Sequence, residues 1–555
     1  GAAYTLALYY FHTNNPDYNL DSASVSLNRS RTWYPSIPGR ERERLAKIPI
    51  DSTTFRMLRQ RIDSAGFERA KQLNTEKSYS DFLRDFPESK DSTLAVELRY
   101  EAAYVDALKL NTYEAFASYL SRYPNTTRKA EAKAKYEWLL YEAKTKDKRL
   151  RSYKSFLSEY PETTYRMEVE QHIFHASTAI GSVESFQQYL KEYPTSSMSG
   201  MATDVLFHLA EELMPTTMGE LITWNDSLSL ISDLNRPYLI PFLSGDRFGF
   251  MDNTGRRIIE PRAVDLDATY RCGGLNEDVL VLGDELVARN NAVIFRGNIE
   301  EVDDIGYGFL VIYTDTCTRL IHKSGRQLSV PCIRDARIIG RRFIGVQTDS
   351  MWRLYTLAMH PIPVSKVYDV KEANGLIGLK RLNDWSLYTP DQLANTLDQQ
   401  PLPATETYDE VGPWSQGLIY VKKGEKRGLM NSVMEMMVPL EYHSFSQEFF
   451  GTLIQGADGY AVFSTDGIPG GPFAAVSVAN PRMAVKTSDG WRLYYHNTHT
   501  FQSPAYDTIS FAGYFPIGIR GDTLTIHFRE KSIATTTREF GFVPGKDSLS
   551  FLWLG

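Results

Sequence analysis

"SYLSRYPNTT", Ser118 to Thr127, decides how the first half of this chain folds. An apolar helix face runs into Tyr123 and Pro124, and small polar residues follow. Nearly the same phrase stands three more times: "DFLRDFPESK" from Asp81, "SFLSEYPETT" from Ser155 and "QYLKEYPTSS" from Gln188. The four prolines, Pro87, Pro124, Pro161 and Pro194, are spaced 37, 37 and 33 residues apart. One residue before each stands Phe86, Tyr123, Tyr160 or Tyr193. Four before stands Leu83, Leu120, Leu157 or Leu190, and five before stands Phe82, Tyr119, Phe156 or Tyr189. Eight before stands Tyr79, Phe116, Tyr153 or Phe186. Apolar positions at i, i+3, i+4 and i+7 make the stripe of an amphipathic helix. Proline ends that helix because the residue before it is pushed out of the α region. The Ser and Thr residues beyond each proline are expected to N-cap the next helix.

One helical hairpin per repeat cannot bury its own apolar face, so such hairpins stack into a solenoid. This pattern resembles tetratricopeptide repeats over about residues 70–215, in the form found in bacterial envelope proteins whose repeats carry "YP" followed by Ser or Thr. The aromatic stripe is expected to be core packing rather than a cofactor box.

With 555 residues the chain calls for several domains. It is 42% hydrophobic, 23% charged and 12% aromatic, with a net charge of −7. That balance disfavours general nucleic-acid binding, which shows a basic excess. No apolar run is long enough to cross a bilayer as a helix. "AAYTLALYYF" (Ala2 to Phe11) is too short for that and is expected to be the first structured segment. The chain begins at Gly1, and membrane association is expected through an N-terminal lipid anchor preceding it or through a membrane partner.

Near Pro237 the helical period gives way to alternation with frequent turn signals, which predicts strands and hairpins. "DRFGFMDNTGRRIIEP" (Asp246 to Pro261) aligns with "CTRLIHKSGRQLSVP" (Cys317 to Pro331), with Gly255 and Gly325 six residues before a proline. "KRGLMNSVMEMMVP" (Lys426 to Pro439) keeps the frame with Val433 at the glycine position. Trp352, Trp385 and Trp491 stand before Leu and Tyr at equal offsets, with Tyr460 in the same place. Copies close with Tyr368-Asp369, Tyr408-Asp409 and Tyr506-Asp507. These features resemble WG repeats, with room for eight or nine copies. Strands with one buried face and no long open edges favour a closed β-propeller, with an open β-solenoid as the alternative. Closure is expected through "FLWLG" at the C-terminus pairing with strands near Leu239 to Leu243.

Three cysteines make neither a disulfide scaffold nor a metal cluster. If the stretch between Cys317 and Cys332 is a hairpin turning at Ser324-Gly325, the two face each other, either as a disulfide or as two small core residues. Cys272 is left over. No HExxH, P-loop, G-x-S-x-G or Cys-x-x-Cys motif occurs. His172 and His175 in "QHIFH" lie on one helix face but need further ligands to hold a metal. "GYG" (Gly306 to Gly308) falls short of a phosphate loop, and "GIPGG" (Gly467 to Gly471) reads as a turn. Arg520-Gly521-Asp522 is expected to close a hairpin, and "IEEVDD" (Ile299 to Asp304) to be a solvated loop. No catalytic, cofactor-binding or metal-binding residue is assigned, and no cofactor is expected. Asp followed by Ser or Thr and then an apolar residue or Thr recurs and looks like the O-glycosylation acceptor pattern of Bacteroidota envelope proteins. The acceptors are Ser22, Ser52, Ser64, Ser92, Ser227, Ser350, Thr508, Thr523 and Ser548.

The expected architecture is an α+β multidomain chain. It comprises an N-terminal extension (1–75), a tetratricopeptide-like α-solenoid (76–215), a linker (216–240) and a WG-type β-repeat domain (241–555). The expected function is a non-catalytic protein-binding scaffold in a bacterial cell-envelope complex. The resemblance points to an outer-membrane accessory lipoprotein of a secretion or assembly machine, with other envelope proteins as partners. A glycan- or peptidoglycan-binding module and a glycan-active enzyme using the propeller funnel are the alternatives.

Overall fold

The structure is a computed structural model. It describes residues 1–48, 50–235, 238–266, 270, 277–330, 332–464, 469–528, 531–536, 540–544 and 550–554. By packing, the chain divides into two compact units, Gly1–Val169 and Glu170–Gly555. No helix among the described residues is long and apolar enough to cross a membrane.

The first unit is helical: α1 (Ala2–Phe11), α2 (Leu20–Trp33), α3 (Gly39–Ala46), α4 (Ser52–Leu73), α5 (Glu76–Asp85), α6 (Ser92–Leu110), α7 (Tyr113–Arg122), α8 (Lys129–Lys144) and α9 (Leu150–Glu159). The proline signature does what its sterics dictate. Phe86, Tyr123, Tyr160 and Tyr193 leave the helix with nearly one conformation, φ −128 to −132° and ψ 57 to 65°. The aromatic residues five and eight before each proline are all buried. Of the leucines at minus four only Leu190 is fully buried, while Leu83, Leu120 and Leu157 are half-buried.

The Ser and Thr residues beyond the prolines do not N-cap the following helices. α6 and α8 begin without any side-chain cap. Ser89, Thr126 and Thr163 instead accept the backbone N–H two residues on, closing the turn. Side-chain N-caps stand at the start of the proline-terminated helices, at Thr75 and Thr112. Residues 1–75, read as an extension, share one apolar core with the first repeat. Ile62 and Phe67 of α4 pack there with Phe82 and Phe86. Gly66 makes room for the Phe86 ring, which a Cβ would meet at 2.7 Å.

α10 (Arg166–Ser177) runs across the division. The second unit continues with α11 (Val183–Glu192), α12 (Ser199–Leu213), α13 (Met218–Trp224) and α14 (Asp226–Asn235). The stretch 216–240, read as a linker, therefore carries two helices. α11 belongs to a fourth repeat, its N-cap Ser182 closing a capping box, while α12 again starts without a side-chain cap. Ser196 closes the turn before it.

Among the described residues ten antiparallel sheets follow in chain order, each a meander of consecutive strands. The first is Ile240–Ser244, Arg247–Met251 and Arg257–Ala263, and the second Val279–Leu282, Glu285–Ala288 and Val293–Arg296. The third is Ile299–Gly306, Phe309–Thr314 and Thr318–His322, and the fourth Asp335–Ile339, Phe343–Thr348 and Met351–Thr356. The fifth to ninth have four strands and begin at Asp369, Glu410, Ser444, Ala475 and Thr508. The tenth is the hairpin Phe540–Pro544 with Ser550–Leu554. The C-terminal strand thus pairs with its own hairpin partner, and no pairing with Ile240–Ser244 occurs among the described residues.

Consecutive sheets pack face to face. Phe343 and Leu354 meet Val370 and Leu379 of the next sheet, Leu376 and Leu387 meet Val411 and Val421, and Leu429 and Val438 meet Ile454 and Phe463. The second strand is consequently buried on both faces, as at Phe309–Ile312, Phe343–Val346 and Leu376–Leu379. Glycine recurs there because neighbouring side chains or backbone crowd the position, an aromatic among them at Gly345, Gly378 and Gly518. A Cβ on Gly518 would stand 2.6 Å from the Tyr506 ring, and one on Gly345 3.3 Å from Trp352.

Candidate functional site

A polar constellation in the second unit lies where its helices meet the third and fourth sheets. α12 presents one face of Asp204, His208 and Glu212, residues four apart and therefore stacked along the helix. Each finds a partner on a turn of the third sheet. The Glu212 carboxylate accepts the backbone N–H of Tyr307. His208 packs its ring 5.1 Å from the His322 ring. Asp204 pairs with Arg326 at 3.5 Å. "GYG" supplies the fit: Gly306 (φ +89°) and Gly308 (φ +79°) take left-handed conformations. A Cβ on Gly306 would meet the Glu212 carboxylate at 2.9 Å, and one on Gly308 would meet both His208 and His322 at 2.7 Å. The glycines are thus a docking turn.

A second contact lies beside it. His175 of α10 stacks on His360, which follows the fourth sheet, with ring centres 4.0 Å apart and planes 18° off parallel. Between α10 and α11, Gly181 (φ +64°) lies so close to the loop Gly340–Arg342 that a Cβ would stand 2.5 Å from the Arg342 carbonyl oxygen. Ile180 packs into the same apolar cluster as Ile339, Phe343 and Leu354.

Burial sets the protonation of these groups. It pushes His175 down to about 3, helped by the neighbouring His360 and His172. Burial likewise lowers His360, and His322 well below the ordinary imidazole value. All three are therefore neutral at pH 7. Burial also works to lower Lys323, but carboxylates of Asp278 and Asp304, each 2.8 Å away, outweigh it and raise the ammonium. Lys323, His208 and Asp204 line a cavity of about 220 Å³. Glu212–Tyr307, His208–His322, Asp204–Arg326 and His175–His360 each join a helix to the sheet region, while Lys323 joins residues of the sheet region to one another. Among the described residues no group of three or more His, Cys, Asp and Glu side chains is arranged to hold a metal ion.

The residues singled out by sequence fall as follows. The repeat aromatics form separate cores, one of which gathers Tyr104, Phe116, Tyr119, Tyr123 and Ala132. Cys317 and Cys332 are joined as a disulfide, with Cα atoms 5.3 Å apart. Cys272 lies outside the described residues. "IEEVDD" is strand rather than loop, and its Asp304 holds Lys323. Gly521 of Arg520-Gly521-Asp522 sits in a hairpin turn at φ +57°. The left-handed position of Gly255 (φ +83°) and Gly325 (φ +84°) is taken in the third copy by Met434 (φ +67°), one residue past Val433.

Ser52, Ser227, Ser350, Thr508 and Thr523 are exposed, and Ser22, Ser64 and Ser92 are half-buried; Ser548 lies outside the described residues. Several of the preceding aspartates are already engaged. Asp51 N-caps α4, Asp63 forms a buried ion pair with Arg59, and Asp507 accepts the Gly521 N–H at 2.7 Å. His208, His322, His360 and Glu212 escaped the sequence reading. Their one visible trace was the Gly-x-Gly turn, whose partner lies 95 residues away in the chain.

No family model and no curated protein matches the chain. Solved structures it resembles include the AfRom2 CNH domain, at 11% identity and a TM-score of 0.16 over 39% of this chain and 87% of that one. Another is the extracellular domain of a one-component system from B. thetaiotaomicron, at 9% and 0.18 over 56% of this chain and 55% of that one. A third is Hsv2p of Kluyveromyces lactis, at 12% and 0.15 over 50% and 93%. At these TM-scores the likeness carries no argument.

Proposed function

We propose that this protein is a non-catalytic protein-binding scaffold of a bacterial cell envelope, an accessory subunit of an outer-membrane secretion or assembly machine. In this reading its helices are tetratricopeptide-like, its sheets are WG-type repeats forming the blades of a β-propeller, and its partners are other envelope proteins. The observation that carries the reading is where the recurring residues are spent. Aromatics before the prolines, glycines under aromatic rings and aspartates on turn N–H groups all serve packing, while large apolar side chains stay open on the helical unit. Val25 is 68% exposed, Trp33 56% and Trp138 43%. Exposed apolar side chains on a helical surface fit polypeptide partners.

Affinity capture from a mild-detergent envelope extract tests this, with the full chain and a chain lacking residues 1–169 as baits. The full chain is expected to retain envelope proteins that the shortened one loses. Retention of every partner by the shortened bait removes the helical surface from the proposal. Turnover of a glycan or peptide by the purified chain removes the scaffold reading.

For the propeller, face-to-face four-stranded meanders in chain order are the support. A compact body of residues 170–555 has a radius of gyration of about 21 Å. A linear stack of ten sheets about 10 Å apart runs to roughly 90 Å in length. Small-angle scattering separates the two.

A further inference from the structure

One face of α4 lines a cavity. Phe55, Arg56, Arg59 and Asp63 follow one another at the spacing that puts side chains on a single helix face. With Tyr34 beyond α2 and the turn after Pro87, they surround a space of about 480 Å³. That volume lies within the range of small-molecule sites. All of the lining belongs to the first unit. Tyr34, Pro35 and Phe55 make an apolar wall, the two rings in edge-to-face contact with centres 5.1 Å apart.

The polar groups of this lining do not balance among themselves. Arg59 is 6% exposed, so its charge is held out of water. Its Nε faces the two oxygens of Asp63 at 2.7 and 2.9 Å, and its Nη1 donates to Asn28. Its Nη2 has no hydrogen-bond partner among the described residues. A buried donor without an acceptor is rare, because its desolvation goes uncompensated. Closer to water, Arg31 pairs with Glu88 at 2.7 Å. Arg56 and Lys90 are exposed and form no hydrogen bond or ion pair among the described residues. Four cations thus meet two carboxylates, which leaves the lining with a charge of +2. Residues 29–61 extend this excess, with nine Arg and Lys against three Asp and Glu in a chain whose net charge is −7.

We propose that this cavity binds a phosphate monoester, its phosphate held by Arg56, Lys90 and Arg59 and its organic part lying on Tyr34 and Phe55. A phosphate monoester carries nearly two negative charges and three strong acceptor oxygens near pH 7. The charge cancels the excess of the lining, and the oxygens match three cationic groups with donors left over. A carboxylate brings one charge and two oxygens and leaves part of the excess unmet. Arg59 acts from beneath, since a guanidinium held out of water attracts an anion strongly without touching it. The aromatic and proline wall selects an organic ester over the bare ion. The site needs no partner protein and stands apart from the scaffold reading.

Calorimetric titration of the full chain with phenyl phosphate at fixed ionic strength tests this. Saturable one-to-one binding is expected, about tenfold tighter than for inorganic phosphate or benzoate. Arg56→Gln with Lys90→Gln is expected to weaken it by about tenfold or more, since each change removes a charge-assisted donor. Both positions are exposed and unpaired, and circular dichroism checks that the variant is folded. Lys129→Gln with Lys135→Gln removes the same charge elsewhere on the first unit and is expected to leave binding unchanged. Vesicles of phosphatidylcholine with phosphatidic acid separate two sources of the group. Capture of the chain on them, lost in the Arg56 and Lys90 variant, makes the ligand a lipid headgroup, whereas binding of phenyl phosphate alone makes it a soluble molecule. Absence of saturable binding at about 10 mM phenyl phosphate overturns the proposal. So do equal affinity for inorganic phosphate or benzoate, binding that survives the Arg56 and Lys90 changes, and an equal loss in the lysine control.

Discussion

Single positions show where one copy departs from the rule the others obey. Before each proline-terminated helix the chain needs a left-handed residue and then a cap. The first two copies supply Asn-Thr and the fourth Gly-Ser, but the third supplies Lys148 and Arg149, and α9 starts without a side-chain cap. A left-handed L-residue costs about 1–2 kcal/mol, less for Asn, and a missing N-cap about 1. Lys148→Asn with Arg149→Thr is therefore expected to stabilise the helical unit by about 1–2 kcal/mol, read as a higher urea midpoint. An unchanged midpoint would mean that Lys148 sits there without strain. The sheets carry the same flaw at Leu382, left-handed at φ +56° and 75% exposed, where the sixth and ninth sheets place Gly424 and Gly521. Leu382→Gly is expected to raise stability by about 0.5–1 kcal/mol by thermal unfolding, since relief of the backbone outweighs the entropy glycine adds to the unfolded chain. A lower melting temperature would refute it.

Within elements, the buried face is narrower than the apolar stripe. Phe156 is 1% exposed while Leu157 beside it is half-buried. Phe156→Ala is expected to cost about 3–5 kcal/mol, as for a core aromatic. Leu157→Ala is expected to cost about 1–2, because only part of its apolar surface leaves water on folding. Equal losses in denaturant unfolding would show that the face is set differently. In the strands the constraint is on size rather than polarity. Gly518→Ala forces a methyl into the Tyr506 ring and is expected to cost about 1–3 kcal/mol, the range for an overpacked core. A neutral result would show that the ring can slide aside.

For the whole molecule, histidine distribution makes the two units respond differently to acid. The first 169 residues contain only His12, whereas the second unit holds the other nine histidines. His175 is held near 3 by burial, against an unfolded value of about 6.5. Between those values the unfolded chain binds a proton that the folded one refuses. The stabilising contribution is thus complete above about 6.5 and shrinks as pH falls. From pH 7.5 to 5 the loss is at most about 2 kcal/mol for this group, with His360 and His322 acting in the same direction. The urea transition of the second unit is expected to weaken on acidification more than that of the first, and His175→Phe to flatten the slope while keeping a ring on His360. A transition insensitive to pH across this window would place the imidazoles in water.

The sequence by itself determined the helix ends and the periods that neighbours along the chain enforce. Proline excludes helix from the residue before it, so four helix ends were legible to the residue. Period 3.6 and period 2 marked the helical half and the strand half, and Trp352, Trp385 and Trp491 before Leu and Tyr marked the third strands of three sheets. Even the missed rule, a left-handed residue followed by Thr or Ser, was present as Leu73-Asn74-Thr75 and Leu110-Asn111-Thr112. The tertiary structure alone decided that the last helical repeat and α12 belong with the sheets. Glu212 reaches the Tyr307 N–H across 95 residues, and His175 reaches His360 across a longer span. Such pairs leave no spacing to read. Burial makes these histidines neutral and these glycines indispensable, and burial is set by whichever surface folds over them from elsewhere in the chain.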